Sequence, residues 1–306
     1  MKALRSCLPV TVALLSTASA ADAQDCAAFS QVGRCSFAIR AAEASLTGVA
    51  LAAAGGNPWI GSASTLGYRV PGAPRFAAQA RMLFTRVDLP GQDISSAEGG
   101  TLVGIGAGFS IGIIEGISPA PTVGGLGSLD LVGELGTVVL PDGFETGSPI
   151  HWSLGARVGI LRESFTLPGI TASVAYRRVG EMTFDDSDQR RRAAHFHWPD
   201  ASLWSVRAVT GKRILGFGLA GGLGWDASSA DAEVTFPGAA DEPLTAESDI
   251  DADNYLAFVD VSWTSLILSL SAEAGRQFGG DGDMGAGDDL TSGNRWFGGL
   301  SARLTF

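Results

Sequence analysis

The last thirteen residues of the chain, from Asn294 to Phe306, alternate between two kinds of side chain. If this stretch is an extended strand, successive side chains point to opposite faces. One face then carries Trp296, Gly298, Leu300, Ala302, Leu304 and Phe306, and the other carries Arg295, Phe297, Gly299, Ser301, Arg303 and Thr305. From Trp296 to Phe306 the strand would cover about 25 Å along a membrane normal, at roughly 3.3 Å per residue and a tilt of about 40°. One face of the strand therefore suits lipid and the other suits water.

The same alternation recurs from Arg75 onward in ten segments. They are residues 75–88, 100–115, 122–140, 149–163, 169–183, 201–210, 213–236, 252–264, 266–278 and 294–306. The links between them alternate in length, because residues 89–99, 141–148, 184–200, 237–251 and 279–293 form long links and residues 211–212 and 265 form short ones. This pattern predicts antiparallel strands joined by hairpins, about ten in number, with twelve as the alternative.

The composition favours strands over helices as the membrane-crossing elements. No apolar run approaches the 18 or more residues that a spanning helix needs. Since lipid offers the backbone no hydrogen-bond partners, strands can cross only as a closed barrel. A soluble sheet is the alternative, but its unprotected apolar edge would invite aggregation. We therefore predict an all-β fold in which residues 75–306 form an antiparallel transmembrane β-barrel.

A terminal strand that ends on Phe306, with alternating apolar positions before it, resembles the C-terminal strand of bacterial outer-membrane β-barrel proteins. The resemblance implies location in the bacterial outer membrane, contact with its lipid and lipopolysaccharide, and recognition of this strand by the barrel-assembly machinery. The strand would end in the periplasm and the long links would lie outside the cell. The net charge of −11 argues against nucleic acid as a partner, and we expect a monomer.

The first 74 residues precede the barrel and divide into two parts. Residues 1–23 combine a basic start, an apolar stretch and small residues, which predicts a secretory signal peptide. Residues 24–74 then form an N-terminal segment that lies either in the periplasm or in the lumen as a plug, with a short helix over the Ala-rich residues 36–54. After cleavage the chain keeps Cys26 and Cys35, and the oxidising compartment predicts a disulfide between them.

Alternation also predicts which side chains face the lumen. The inward charges are Arg81, Asp130, Glu134, Arg157, Arg177, Arg207, Asp260, Glu273 and Arg303. Since both signs are present, we expect ion pairs across the lumen. The inward glycines are Gly104, Gly106, Gly108, Gly216, Gly218 and Gly222. These glycines either allow strand curvature or leave room for the helix of residues 36–54.

The segment from Ala50 to Leu66, with its Asn57-Pro58 turn, resembles the entry to the barrel in the long-chain fatty acid transporter superfamily. The resemblance implies a route for apolar solutes. It covers about 30 residues, and ten strands fall short of the fourteen in that family, so its ligand-contacting residues cannot be carried over.

The leading functional prediction is a porin-like barrel for passive passage of small or apolar solutes through a narrow or plugged lumen. The alternatives are a non-conducting structural or surface-interaction barrel and an outer-membrane hydrolase. His151-Trp-Ser153 is similar to the His-x-Ser of lipid A deacylases. Omptin proteases place an acidic pair opposite an Asp-x-His pair; this chain has Asp185-Asp186 and His195-Phe-His197 in one long loop, but no Asp-x-His. Neither pattern specifies a complete site, so we predict no catalytic residues, no cofactor and no metal site.

Overall fold

The computed structural model describes residues 26, 29, 32–69, 73–90, 97–118, 124–141, 144, 148–184, 195–238, 243–279 and 294–306. The predicted signal peptide of residues 1–23 lies outside the described residues. So do the acidic pair Asp185-Asp186 and the acidic stretch of residues 281–289.

One helix precedes the strands. Helix α1 spans Val32–Ala54 and begins four residues before the predicted start. Gly55 follows it with a φ of +65°, and its backbone nitrogen donates to the carbonyl of Leu51 over 2.8 Å. A glycine in this left-handed conformation is the usual end of a helix, because it carries no Cβ to clash.

Fourteen strands follow among the described residues. They are β1 (Tyr68–Arg69), β2 (Ala73–Pro74), β3 (Phe76–Pro90), β4 (Ala97–Ile114), β5 (Ser128–Val139), β6 (Ile150–Leu161), β7 (Gly169–Val179), β8 (Met182–Phe184), β9 (His195–Trp198), β10 (Ala201–Ile214), β11 (Phe217–Pro237), β12 (Pro243–Ser265), β13 (Leu268–Gly279) and β14 (Arg295–Thr305). Strands β3 to β7 and β10 to β14 pair antiparallel in sequence order, and β14 returns to β3. At this seam the nitrogen of Phe306 donates to the carbonyl of Phe76 over 2.8 Å. The predicted ten-stranded antiparallel barrel with an N-terminal helix is confirmed.

The outer surface of the barrel carries an apolar band between two aromatic levels. Trp225 lies opposite Tyr255 on β11 and β12, and eight residues lower Phe217 lies opposite Trp263. At a rise of about 3.3 Å and a tilt of about 40°, these pairs are roughly 20 Å apart along the barrel axis. Between them the side chains of Leu219, Leu223, Val259 and Val261 are exposed. A closed barrel with such a band is an outer-membrane protein.

The short turns lie at one end, which is the periplasmic end by the rule for outer-membrane barrels. The turn between β10 and β11 is Leu215-Gly216, and the turn between β12 and β13 is Leu266-Ile267. The predicted links at residues 211–212 and at 265 are therefore wrong. The prediction that Gly216 faces the lumen is also wrong, because Gly216 occupies the turn with a φ of +86°.

The strands at the opposite, outer end are longer than predicted. Strand β11 continues to Pro237 and β12 begins at Pro243, so the predicted loop of residues 237–251 is mostly sheet. We call residues 226–237 and 243–254 the outer extension, because they lie beyond Trp225 and Tyr255. At the periplasmic end β5 begins at Ser128, six residues later than predicted, which leaves a link of residues 115–127.

Candidate functional site in the barrel lumen

Helix α1 lies inside the barrel. It packs against strands on both sides of the seam, including β3, β4, β11 and β12, and nearly all of its side chains are buried. By length and composition it could cross a membrane, yet it is enclosed by the strands instead. Its Ala-rich sequence gives it a narrow cross-section, which suits a barrel only slightly wider than those filled by side chains alone. We call residues 32–67, the helix and the loop after it, the plug.

Two inward glycines make room for the plug backbone. A Cβ on Gly104 would lie 1.9 Å from the carbonyl oxygen of Ala52, and a Cβ on Gly112 would lie 2.3 Å from that of Gly67. Both distances are shorter than any real contact, so these positions require glycine. The other inward glycines of the prediction serve neighbouring side chains, since Cβ atoms on Gly106, Gly218 and Gly222 would collide with Glu134, Ser262 and Phe258. A Cβ on Gly108 would meet the carbonyl of Gly133 at 3.2 Å.

Two arginines hold the C-terminal end of helix α1. Arg81 donates to the carbonyls of Ala53 and Ala54 over 2.7 and 2.8 Å. Arg207 donates to the carbonyls of Gly55 and Gly56 over 2.9 and 2.7 Å. The last carbonyls of a helix have no partner within the helix and carry partial negative charge, so buried guanidinium groups are well matched to them.

Two carboxylates hold the loop that follows. Glu273 accepts hydrogen bonds from the backbone nitrogens of Gly56 and Asn57, over 3.0 and 2.6 Å. Asp260, directly opposite Glu273 on β12, accepts from Asn57 Nδ2 over 2.5 Å and from the nitrogen of Gly61 over 3.2 Å. The loop is therefore fixed by hydrogen bonds from its backbone and from the Asn57 side chain to these two buried carboxyl groups.

Four of the remaining inward charges, Glu134, Arg177, Asp130 and Arg157, form ion pairs. Arg81 contacts Glu134 at 2.7 Å, and Arg177 lies 3.7 Å from the same carboxylate. Arg157 pairs with Asp130 at 2.8 Å, and Asp130 also accepts from the backbone nitrogen of Leu66 over 2.9 Å. Of the nine predicted inward charges, all lie in the lumen, and Arg303 is the one that contacts neither a carboxylate nor the plug among the described residues.

Sequence reasoning missed three residues of this network. Asp226 pairs with Arg207 at 2.7 Å, Asn57 bridges the loop to Asp260, and the ring of Trp59 lies 5.8 Å from the guanidinium of Arg157. The alternation on β11 places Asp226 inward beside the outward Trp225, so its position was available from the sequence. The roles of Asn57 and Trp59 depend on the path of the plug, which alternation does not describe.

The outer end of the lumen is closed by an apolar cluster, which we call the outer cap. It joins the first turns of α1 to the β8–β9 hairpin and to the inner face of the outer extension, through Phe37, Ile39, Met182, Phe184, Phe196, Trp198, Val234 and Phe236. The rings of Phe184 and Phe196 stack at 5.1 Å. Cys26 and Cys35 are joined in a disulfide within this cap.

The periplasmic end of the lumen remains open as a cavity of about 930 Å³, which we call the periplasmic cup. Its inner wall is formed by the plug, with Trp59 and Ser64. Its sides carry Arg213 and Arg303, and its rim carries the turn residues Phe165 and Leu215. Among the described residues, the plug and the outer cap therefore fill the lumen above the cup, and the cup opens to the periplasmic side.

The described residues of the enzyme alternatives lie in two separate places, the lumen and the β8–β9 hairpin. His151 and Ser153 are buried in the lumen, where Arg177 donates to the Ser153 hydroxyl over 3.5 Å. His197 Nδ1 lies 2.9 Å from the hydroxyl of Thr183 on the β8–β9 hairpin. Among the described residues no group of three or more His, Cys, Asp or Glu side chains could hold a metal ion.

Comparison with solved structures finds similar barrels at low sequence identity. The translocator domain of the autotransporter NalP from Neisseria meningitidis is 15% identical, with a TM-score of 0.45, and the match covers 79% of this chain and 91% of that one. The outer membrane protease OmpT from Escherichia coli is 11% identical, with a TM-score of 0.37, covering 80% and 100%. The TodX monoaromatic hydrocarbon channel is 9% identical, with a TM-score of 0.31, covering 77% and 90%.

Other comparisons add no family. No protein-family model matches the chain, and no curated protein matches its sequence. The similar structures differ in function, so the likeness is to an outer-membrane barrel in general. They do not support the resemblance of the N-terminal segment to the long-chain fatty acid transporter superfamily.

Proposed function

We propose that this protein is a non-conducting outer-membrane barrel that presents the outer extension and the N-terminal end of the plug at the cell surface. The observation that carries the proposal is that Arg81 and Arg207 hold helix α1 in the lumen through hydrogen bonds. Four plug carbonyls accept hydrogen bonds from these two buried side chains. Bonds to charged groups contribute about 1.5–3 kcal/mol each, so spontaneous loss of the helix would be rare.

The direction of the plug supports presentation outside the cell. The side chain of Arg34, near the start of α1, donates to the carbonyl of Pro237 at the tip of the outer extension, over 3.0 Å. The chain then runs down the lumen and reaches β3 at the periplasmic end, where Phe76 pairs with Phe306. The N-terminal end of the plug, at Val32, therefore lies at the outer end of the barrel.

The outer extension has the rigidity and the chemistry of an interaction surface. Its twelve residues per strand beyond Trp225 and Tyr255 would rise about 30 Å above the outer aromatic level. The inner face packs on the outer cap, whereas the outer face exposes carboxylates, with Asp231 opposite Asp249 and Glu233 opposite Glu247. Like charges directly opposite each other destabilise a sheet, which favours a cationic partner over an apolar one.

Planar-bilayer recording tests the closed state. The purified protein should show no steady single-channel conductance, whereas a variant without residues 24–60 should conduct because the lumen loses its filling. Steady conductance of the intact protein would contradict the proposal. Surface presentation has its own test: an epitope inserted before Cys26 should bind antibody on intact cells, and one inserted in the periplasmic turn Leu215-Gly216 should not.

Passive passage of small or apolar solutes is the second candidate, and the open periplasmic cup favours it. In this case the plug would have to leave the lumen during transport, since the outer cap closes the other end. A disulfide engineered between the plug and the barrel wall tests this candidate. If cells take up a solute and the disulfide abolishes that uptake, passage is favoured over the closed barrel. We propose no catalytic role, because the buried His151 and Ser153 have no route to a substrate in the closed lumen.

A further inference from the structure

The periplasmic cup contains more positive charge than its carboxylates neutralise. Four arginines line it, and two of them have partners: Arg162 lies 3.8 Å from Glu115, and Arg75 donates to the carbonyl of Leu66 over 3.5 Å. The side chains of Arg213 and Arg303 form no ion pair among the described residues. The second side-chain carboxylate of the cup, Glu163, accepts from the backbone nitrogen of Arg213.

Arg303 is the unusual member of this set. Its side chain is only 5% exposed, and the one hydrogen bond that it makes with the described residues is long, 3.4 Å from Nη2 to the hydroxyl of Ser269. A buried charge without a counter-ion is costly, and the other eight inward charges that we predicted all contact an opposite charge or the plug backbone. A guanidinium placed in this way is a ready binding group for an anion.

Two further side chains of the cup carry unsatisfied polar atoms. Arg303 Nη1, Trp59 Nε1 and Ser64 Oγ are all buried without a hydrogen-bond partner among the described residues. Buried donors are rarely left without an acceptor, because each one costs free energy. Each of these three atoms belongs to a residue that lines the cup but is itself sealed from solvent, so the ligand contacts are assigned to the exposed part of the Arg303 side chain and to Arg213.

The rim of the cup is apolar. Phe165, Leu215 and Leu266 are 98%, 96% and 97% exposed, and all three line the opening. Both leucines have positive φ values, +51° and +53°, in two-residue turns where Gly or Asn is the usual choice. A large apolar side chain is thus placed where the backbone disfavours it, which is consistent with contact to an apolar group at the rim.

We propose that the periplasmic cup binds an organic oxyanion, a carboxylate or phosphate attached to an apolar body. The oxyanion accepts hydrogen bonds from Arg303 and Arg213, and the apolar body lies against the rim. The cavity of about 930 Å³ is large enough for a small ligand of this kind. The proposal is independent of whether the barrel conducts, since the cup is open in the closed state.

Isothermal titration calorimetry on the full mature protein in a non-ionic detergent tests this site. Benzoate and phenyl phosphate represent the two possible head groups, benzamide lacks the charge, and inorganic phosphate lacks the apolar body. We expect saturable binding of benzoate, of phenyl phosphate or of both, and at least tenfold weaker binding of benzamide. The stronger of the two anions identifies the head group. Inorganic phosphate that binds as tightly as phenyl phosphate would overturn the role of the rim.

Variants assign the binding to the cup. Arg303→Gln should weaken it about tenfold or more, because a charge-assisted bond is lost. Arg178→Gln is the matched control, since Arg178 forms an exposed ion pair with Asp200 at the opposite end of the barrel. Heat-modifiable migration in gels verifies that each variant folds. If Arg303→Gln does not fold, Arg213→Gln takes its place, because Arg213 is exposed. No binding by the wild type, or equal binding by the cup variants, would overturn the proposal.

Discussion

Replacing Arg207 by Met should loosen the plug. The substitution keeps the apolar stem and removes the hydrogen bonds to the carbonyls of Gly55 and Gly56. Two charge-assisted bonds at about 1.5–3 kcal/mol each amount to roughly 3–6 kcal/mol. At about 1.4 kcal/mol per factor of ten, the fraction of molecules with a detached helix should rise by roughly 10² to 10⁴.

Hydrogen exchange followed by mass spectrometry measures this fraction directly. Peptides from helix α1 should exchange faster in Arg207→Met by the factor given above, while peptides from β13 and β14 keep their protection. The single variant also leaves Asp226 buried without its partner, which destabilises the wall. The double variant Arg207→Met with Asp226→Leu removes both charges, so it should restore wall protection and leave the helix loose.

The control removes an arginine that does not contact the plug. Arg178 lies on β7, exposed, and pairs with Asp200 at 2.5 Å. Such surface pairs contribute about 0–1 kcal/mol, so Arg178→Met should not change helix exchange measurably. Unchanged helix exchange in Arg207→Met, or equal acceleration in the control, would refute the argument that buried arginines fix the plug.

Three further predictions concern assembly, the disulfide and pH. Leu304→Asp places a charge on the lipid face of the last strand, where charge is disfavoured, and should reduce the heat-modifiable form in outer-membrane fractions; normal levels would contradict the assignment of that face. Cys26 and Cys35 should be oxidised in the mature protein and stabilise the folded state by about 2–3 kcal/mol, and two free thiols in the unreduced mass would refute this. Burial, followed by neighbouring carboxylates, raises the pKa of Asp251 on the outer extension, so the folded state keeps its proton to a higher pH than the unfolded state. The extension should then gain stability as pH falls from 7 towards about 4, and hydrogen exchange measures this gain as increased protection of its peptides. Asp251→Asn should show a smaller gain, and a gain equal to that of the wild type would contradict the prediction.

Alternation predicted the barrel well because it is a local property of each strand. Trp296, Leu300 and Leu304 are exposed and Arg303 is buried, as the pattern of the last strand required. The same rule placed the nine inward charges in the lumen. A side-chain period of two fixes the face of every residue once the strand is known.

The predicted strand boundaries were wrong where the local sequence was misleading. The turn between β10 and β11 carries Leu215, an apolar residue with a positive φ, whereas Gly211, which suggested a turn, lies within β10. In the outer extension the carboxylates of residues 247–253 suggested a loop, yet they alternate with the inward Ser248, Ile250 and Ala252. Above the membrane an exposed strand face is wet, so it carries charge where a membrane strand carries apolar residues.

The plug could be suspected but not located from the sequence, because its contacts are made to backbone atoms. Arg81 and Arg207 bind carbonyls and Glu273 binds backbone nitrogens, so these contacts do not depend on the side chains of the plug. Asn57, whose side chain binds Asp260, differs from this rule. On the barrel wall, Gly104 and Gly112 mark places where the close approach of the plug excludes any Cβ. At these two positions of the barrel wall, the identity of the residue therefore reflects the path of the plug.

The lumen is apolar at its outer end and polar at its periplasmic end, and this order determines what the barrel can do. At the outer end the cap of Phe184, Phe196 and Trp198 excludes water, so the bonds that Arg81 and Arg207 make below it lie in a medium of low dielectric constant and are strong. At the periplasmic end the cup is wet and its charges are accessible. A solute can therefore enter from the periplasm and meet Arg303 without displacing the plug. Passage to the outside would require breaking the ionic contacts and the apolar cap together, which is why binding below and closure above are compatible in one barrel.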